Sequence, residues 1–203
     1  MNTDDRPERA AAMEFLRRKG TDAPASMLSS KLRVTFQQFE HEIERVPEGL
    51  RERRPDPTSW SVHEIVDHLV ESNRPAVLEL RQLCAGVSPA GGPIPARLQS
   101  PQPFERPWSA LVDDLKNLHA QILEAVIKTG DATSTVAKAP VTMVIKVPGV
   151  NGSEVLEWVE AVDWKAYAQT LRIHAHEHRA QVERTVAVLR GQQGQDGQER
   201  REG

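Results

Sequence analysis

From Trp164 to Arg190, apolar residues return at heptad-like intervals: Trp164, Tyr167, Leu171, Ala175, Val182 and Leu189, with His178 set in the same seam. Such a seam commits the segment to an amphipathic helix that is stable only when buried against other helices. Asp163 suits the N-cap and Gly191 the end. Three further segments share the periodicity. Met27 to Val46 places Leu28, Leu32, Phe36, Phe39 and Ile43 on one side, and Pro47 with Gly49 ends it. SWSVHEIVDHLV opens the next, with Ser61 and Glu64 spaced as a capping box; Val62, Ile65, Val66, Leu69, Ala76, Leu80 and Leu83 carry it to about Cys84, bent at Pro75. Pro107 suits the first turn of a third helix carrying Trp108, Leu111, Leu115, Leu118, Ile122 and Val126, which Gly130 stops. Four such helices predict a small all-α bundle.

The connecting segments are less regular. Residues 86–106 hold five of the fourteen prolines and read as a long loop, of a length that suits a cover over the mouth of a site. Between Asp131 and Val162, VTMVIKV has strand composition, PGVNG has turn chemistry, and VLEWVEAV fits either a helical turn or a returning strand, so a short β-hairpin stays open. Residues 1–26 and 191–203 are polar or charged and are expected to lack fixed structure, leaving 27–190 as one folded domain.

Composition narrows the function. The net charge of −3 is spread along the chain, so no footprint for nucleic acid is present. No apolar run reaches the length of about eighteen residues that a membrane span needs, and the start MNTDDRPERAAAMEF lacks the apolar stretch of a signal peptide, so a cytoplasmic protein is expected. A single cysteine, Cys84, rules out an intrachain disulfide and a thiolate-rich zinc cage, which leaves nitrogen and oxygen as the ligands of any metal. Cys84 itself reads as a small apolar residue near a helix end.

Histidine is therefore the residue to follow. His174 and His178 are four apart, on one helical face, at a spacing that chelates one ion, and Gln181 lies one turn beyond. A helix with three histidines in five residues also yields such a pair by composition alone. His68 adds weight, because it sits beside Ile65 and Leu69 on the inward edge of another helix, and bundles build metal sites from facing helices. His176 is rotated outward; His63 is expected at a cap or in solvent, and His41 and His119 at the surface.

WSVHEIVDHL, with His68, resembles the second-helix motif of the DinB-like (DinB/YfiT) proteins, and DWKAYAQTLRIHAHEHRAQV, with His174, His178 and Gln181 in an H-x-x-x-H-x-x-Q frame, resembles their closing motif. The two blocks stand in the expected order, and the resemblance covers about 28–190. It implies a four-helix up-down-down-up bundle with a long crossover, a divalent metal, zinc or nickel, on His68, His174 and His178, and a homodimer. Members of that family include transferases of small thiols such as bacillithiol or mycothiol, thiol-dependent isomerases, and proteins without known activity. The charged N-terminal extension and the 131–162 segment depart from its simplest members.

Three neutral imidazoles leave a coordination position open, as catalytic sites do. The expected function is a metal-dependent small-thiol S-transferase or a hydrolase, in which the ion activates a low-molecular-weight thiol or water for attack on a small-molecule substrate. The alternative is a non-catalytic stress-related bundle that binds metal or an apolar ligand. Gln181 and Tyr167 are candidates to orient a ligand or a water behind the metal ligands. Glu64 reads as a cap in preference to a general base, and Trp60, Trp108, Trp158 and Trp164 suit core anchors and pocket walls equally.

Overall fold

The computed structural model of the chain describes residues 6–131, 136–149 and 152–202, with side chains as far as residue 193. It is mostly helical, with one two-stranded antiparallel sheet. In chain order the elements are α1 (Pro7–Leu16), α2 (Ala25–Glu44), the single turn α3 (Glu48–Arg51), α4 (Val62–Cys84), α5 (Trp108–Thr129), β1 (Ala139–Gly149), β2 (Gly152–Val162) and α6 (Trp164–Glu202).

The apolar stripes read from the sequence are the ones that are buried. Leu28, Leu32, Phe36, Phe39 and Ile43 of α2 form one wall of the core, and Ile65, Leu69, Leu80 and Leu83 of α4 form another. Each such side chain contributes on the order of 1.5–3 kcal/mol by leaving water. The capping box of α4 is formed: the Glu64 N–H donates to Ser61 Oγ (3.2 Å) and the Ser61 N–H donates to Glu64 Oε2 (2.9 Å). Asp163 caps α6 by accepting from the N–H groups of Lys165 and Ala166. Pro107 precedes α5, and Gly130, at φ +57°, closes it.

Helix α2 packs on α5 and α6, and α4 packs on the same two helices. Side-chain pairs mark these contacts: Arg74 with Asp114 and Arg81 with Gln121 between α4 and α5, Arg179 with Gln38 between α6 and α2, His119 with Glu40 between α5 and α2, and Tyr167 with Glu79 between α6 and α4. No described helix is long and apolar enough to cross a membrane.

The open segment before α6 is a hairpin. Its register pairs Ala139 with Val162, Met143 with Trp158 and Ile145 with Leu156. VLEWVEAV is the returning strand, turning Leu156 and Val162 inward at period two. The middle of the expected PGVNG turn, residues 150 and 151, lies outside the described residues, as do residues 1–5 and 132–135.

Both termini differ from the sequence expectation. Residues 7–26 hold α1, a π-helical turn at Arg17–Thr21, and the start of α2. Long-range anchors hold them in place: Leu16 is buried, Arg6 and Arg9 pair with Glu154 and Glu160 of the hairpin, and Gly20 lies so close to α6 that an added Cβ would stand 2.7 Å from the Ala166 Cα. At the other end α6 continues past Gly191, and the Gln192 amide donates to the Pro55 carbonyl. A glycine at a helix end signals a stop only when it adopts the left-handed conformation, and Gly191 has no positive φ.

Two histidines are also placed differently. His119 is buried, stacked 3.9 Å from Phe36, with Nδ1 donating to Glu40 (2.7 Å). His63 is buried against Phe104 and Trp108, with Nε2 donating to the Pro103 carbonyl (2.9 Å). In each, one ring nitrogen finds an acceptor, while the other, His63 Nδ1 or His119 Nε2, is buried without a hydrogen bond among the described residues. His41 and His176 are exposed, as expected.

Candidate metal centre

Helices α4 and α6 bring His68, His174 and His178 together. His174 Nε2 lies 3.0 Å from His68 Nε2 and 3.0 Å from His178 Nε2, and one ring nitrogen from each of the three lies within 4.8 Å of the others. The rings meet edge to face, with centroids 4.6–5.0 Å apart.

The other ring nitrogens fix the protons. His68 Nδ1 lies 2.7 Å from the Leu98 carbonyl, which only accepts, so Nδ1 carries the hydrogen and Nε2 presents a lone pair. His178 Nδ1 likewise donates to Gln181 Oε1 at 2.8 Å. Two lone pairs thus point at one nitrogen of His174, whose single proton at most satisfies one of them well.

Burial holds all three rings neutral. It drives His174 well below the usual imidazole range, helped by His178 and His68. It lowers His178 to about 4, reinforced by His68 and opposed by the Gln181 bond, and it lowers His68 against the pull of the Leu98 carbonyl and Asp67.

Neutral imidazoles with converging lone pairs are the donor set of a divalent cation. Nitrogens bound tetrahedrally at about 2.0–2.1 Å stand about 3.3–3.4 Å apart, close to the two 3.0 Å separations from His174 Nε2. The residues fit the ion, and each orienting bond is of the kind that fixes a ligand's tautomer.

Of the two further sequence candidates, Gln181 bonds His178 Nδ1, and Tyr167 lines the cavity beside the histidines. The Tyr167 hydroxyl donates to Glu79, and burial followed by that carboxylate pushes its pKa far above the usual range. Glu64 caps α4 and pairs with Arg54. Cys84 is half-buried, and burial raises its pKa, so it is not a thiolate at neutral pH.

Beyond Gln181, the sequence left Trp60 open between core anchor and pocket wall and did not single out Asp67 or Leu98. Trp60 covers the centre, its ring 5.1 Å from His68 and 6.4 Å from His178; its place eight residues before His68, in the same motif, was the available signal. Asp67 is fully buried and accepts from both the N–H and the hydroxyl of Ser100 (2.8 Å each), which pins the loop that carries Leu98. Leu98 acts through its backbone, so no residue type announced it.

The histidines open on a cavity of about 510 Å³ between α4 and α6, roofed by the hairpin (Val141, Met143), by α1 (Phe15, Leu16) and by the loop (Ile94, Arg97). The loop after α4 does lie beside the site.

A family model described as the DinB superfamily matches residues 31–202. Among solved structures, the chain is similar to the crystal structure of a mycothiol-dependent maleylpyruvate isomerase, at 14% identity and a TM-score of 0.49, over 79% of this chain. It spans 61% of that protein's chain. No curated protein matches the sequence.

Proposed function

The chain belongs to the DinB superfamily, and on that premise we propose that it is a metal-dependent enzyme. One divalent ion, zinc or nickel, is held by Nε2 of His68, His174 and His178. The reaction is transfer of a small thiol, or of water, to an electrophilic small molecule seated in the adjoining cavity. What supports this is the proton count at the three nitrogens: the Leu98 carbonyl and Gln181 force two lone pairs onto a third imidazole, and a cation resolves that conflict.

A divalent ion there supplies a Lewis acid, which brings a thiol or water to its anionic form near neutral pH. The chain's residues do the rest. His68 and His178 stay in the tautomers their partners dictate, and the uncharged ligand set leaves the cation's charge undiminished. Trp60 shields the imidazoles from bulk water, and the apolar wall of Met143, Val141 and Leu171 takes the body of the substrate.

The same proposal extends to topology. The pairs Arg74–Asp114 and Arg81–Gln121 keep one sequence offset of 40, as expected if α4 and α5 run in the same sense, and Thr21–Asp163 with Gln38–Arg179, at 142 and 141, nearly do so on the α2 and α6 side. Glu40–His119 with Glu44–Lys116 changes offset in the opposite way, as does Glu79–Tyr167 with His68–His174. These pairings support an up-down-down-up four-helix bundle whose long crossover is the α4–α5 loop.

The test is metal content followed by activity. Purified protein is expected to carry a first-row metal, and EDTA treatment to lower its melting temperature until zinc or nickel is restored. The metal-loaded protein is then assayed with a panel of small thiols against monochlorobimane and chloronitrobenzene, with His174→Ala as control. Absence of metal uptake sinks the proposal; metal uptake with no turnover on thiol or hydrolytic substrates leaves a binding protein and not an enzyme.

A further inference from the structure

The cavity has a second polar end. Along α4, Glu79 is eleven residues beyond His68, about 16 Å of helix, and along α6, Tyr167 lies seven residues before His174, about 10 Å. The cavity is therefore a slot with the imidazoles at one end and Glu79 with Tyr167 at the other. Asn73 lies on its wall between them.

Two groups along this slot keep hydrogen-bonding capacity that the rest of the chain does not use. Asn73 is only 4% exposed, yet its amide makes no hydrogen bond among the described residues. Glu79 is half-buried and accepts from the Tyr167 hydroxyl through Oε2, with no cation beside it among the described residues. Burial accordingly raises its pKa, against the Tyr167 bond, as happens to a carboxylate without a counter-ion. The other charged groups lining the slot are Glu157, Glu177 and Arg97, so carboxylates outnumber guanidinium three to one.

We propose that Asn73 and Glu79 form a recognition site for an extended amine, with an amide or hydroxyl in mid-chain facing Asn73 and a terminal ammonium on Glu79. The Asn73 amide offers one acceptor and two donors, which match an amide or hydroxyl in either sense. The free oxygen of Glu79 takes a charge-assisted bond from the ammonium while Tyr167 holds the other oxygen. The placement of the reactive end of that ligand at the imidazoles rests on the metal reading above; the amine preference does not.

The test uses N-acetylcadaverine and acetamidocaproate, which share a linear chain and an amide but end in ammonium and carboxylate. Binding is measured calorimetrically on the full chain, once after EDTA treatment and once loaded with zinc. The ammonium probe is expected to bind at least about tenfold more tightly than the carboxylate probe in both forms. Glu79→Gln, which keeps an acceptor for Tyr167, is expected to abolish that difference, and Asn73→Ala to weaken both probes about equally. Tyr167→Phe, leaving Glu79 in place, retains the preference and guards against misreading a folding defect. Equal affinities, a preference for carboxylate, no saturable binding of the ammonium probe, or a preference that survives Glu79→Gln each overturn the proposal. Failure of zinc uptake with the amine preference intact removes the metal reading alone; zinc uptake without the preference removes this one alone.

Discussion

Acidification from about pH 6.5 to pH 5 is expected to cost the metal-free protein about 1.5 kcal/mol through His178 alone, the slope reaching its full value of about 1.4 kcal/mol per pH unit only below about pH 6.5. Its folded-state pKa is lowered to about 4 from an ordinary 6.5, by burial first and by His68 second. Between those values the unfolded chain holds a proton that the folded chain refuses. The unfolded state therefore binds more protons, and stability falls as pH falls, reaching about 3 kcal/mol near pH 4. His68, His174 and His119 are lowered too and add loss of the same sign. Glu79, raised by burial, contributes in the opposite direction, so His178 is isolated by comparing the protein with His178→Gln. The depressed carboxylates Glu64 and Asp131 lose their contribution only as pH falls toward and below the carboxylate range. The assay is urea unfolding in EDTA across this window, extrapolated linearly to water. Zinc is expected to raise the whole curve and steepen it, because protons compete with the ion for the same nitrogens. A stability that stays level between pH 6.5 and 5, or a slope that His178→Gln leaves unchanged, refutes the picture of three imidazoles held neutral by burial.

Gly20→Ala sets two effects against each other: the helical backbone gains about 0.5–1 kcal/mol from losing a glycine, while a Cβ placed 2.7 Å from the Ala166 Cα costs about 1–3 kcal/mol of displaced backbone, so net destabilisation is expected and a rise in the urea midpoint contradicts it. Ser61→Ala removes the acceptor that holds the Glu64 N–H, and a loss of about 1 kcal/mol is expected by the same measurement; no loss shows that Arg54 and the Glu64 carboxylate hold the turn unaided. Asp67→Asn leaves one acceptor for the two Ser100 donors, loosening the loop that carries the Leu98 carbonyl. Zinc affinity by competition with a chelating dye is expected to fall about 10–100-fold with circular dichroism unchanged, and unaltered affinity dismisses the loop as a support for His68.

The parts of this fold that were legible in the sequence are those whose signal is local. Helix α2 was visible because Leu28, Leu32, Phe36, Phe39 and Ile43 fall on one stripe, and the start of α4 because Ser61 and Glu64 satisfy each other three residues apart. The imidazole triad was legible for a related reason: a spacing of four fixes His174 beside His178, and the inward stripe of α4 carries His68. What was missed depends on partners distant in sequence. Residues 7–21 have too few large apolar groups to declare a helix, and they are held by Glu154, Glu160 and the backbone of Ala166. His119 and His63 look like surface residues until Glu40 and the Pro103 carbonyl supply their acceptors.

The polar side of α4 explains why the loop following it is ordered without secondary structure of its own. His63, Asp67 and His68 bond to Pro103, Ser100 and Leu98, while the Glu64 carbonyl accepts from Gln99 and Glu71 pairs with Arg106. These positions, spaced by three, four or one, form a single stripe of the helix, so the stripe that would otherwise need apolar cover instead replaces the ladder the proline-rich loop cannot make. His68 belongs to that stripe and to the imidazole triad at once: Nδ1 fastens the loop and Nε2 faces His174. Withdrawal of the loop would therefore free His68 to change tautomer and move its lone pair away from the other two rings. The order of the loop and the readiness of the three nitrogens for a cation are coupled through one side chain.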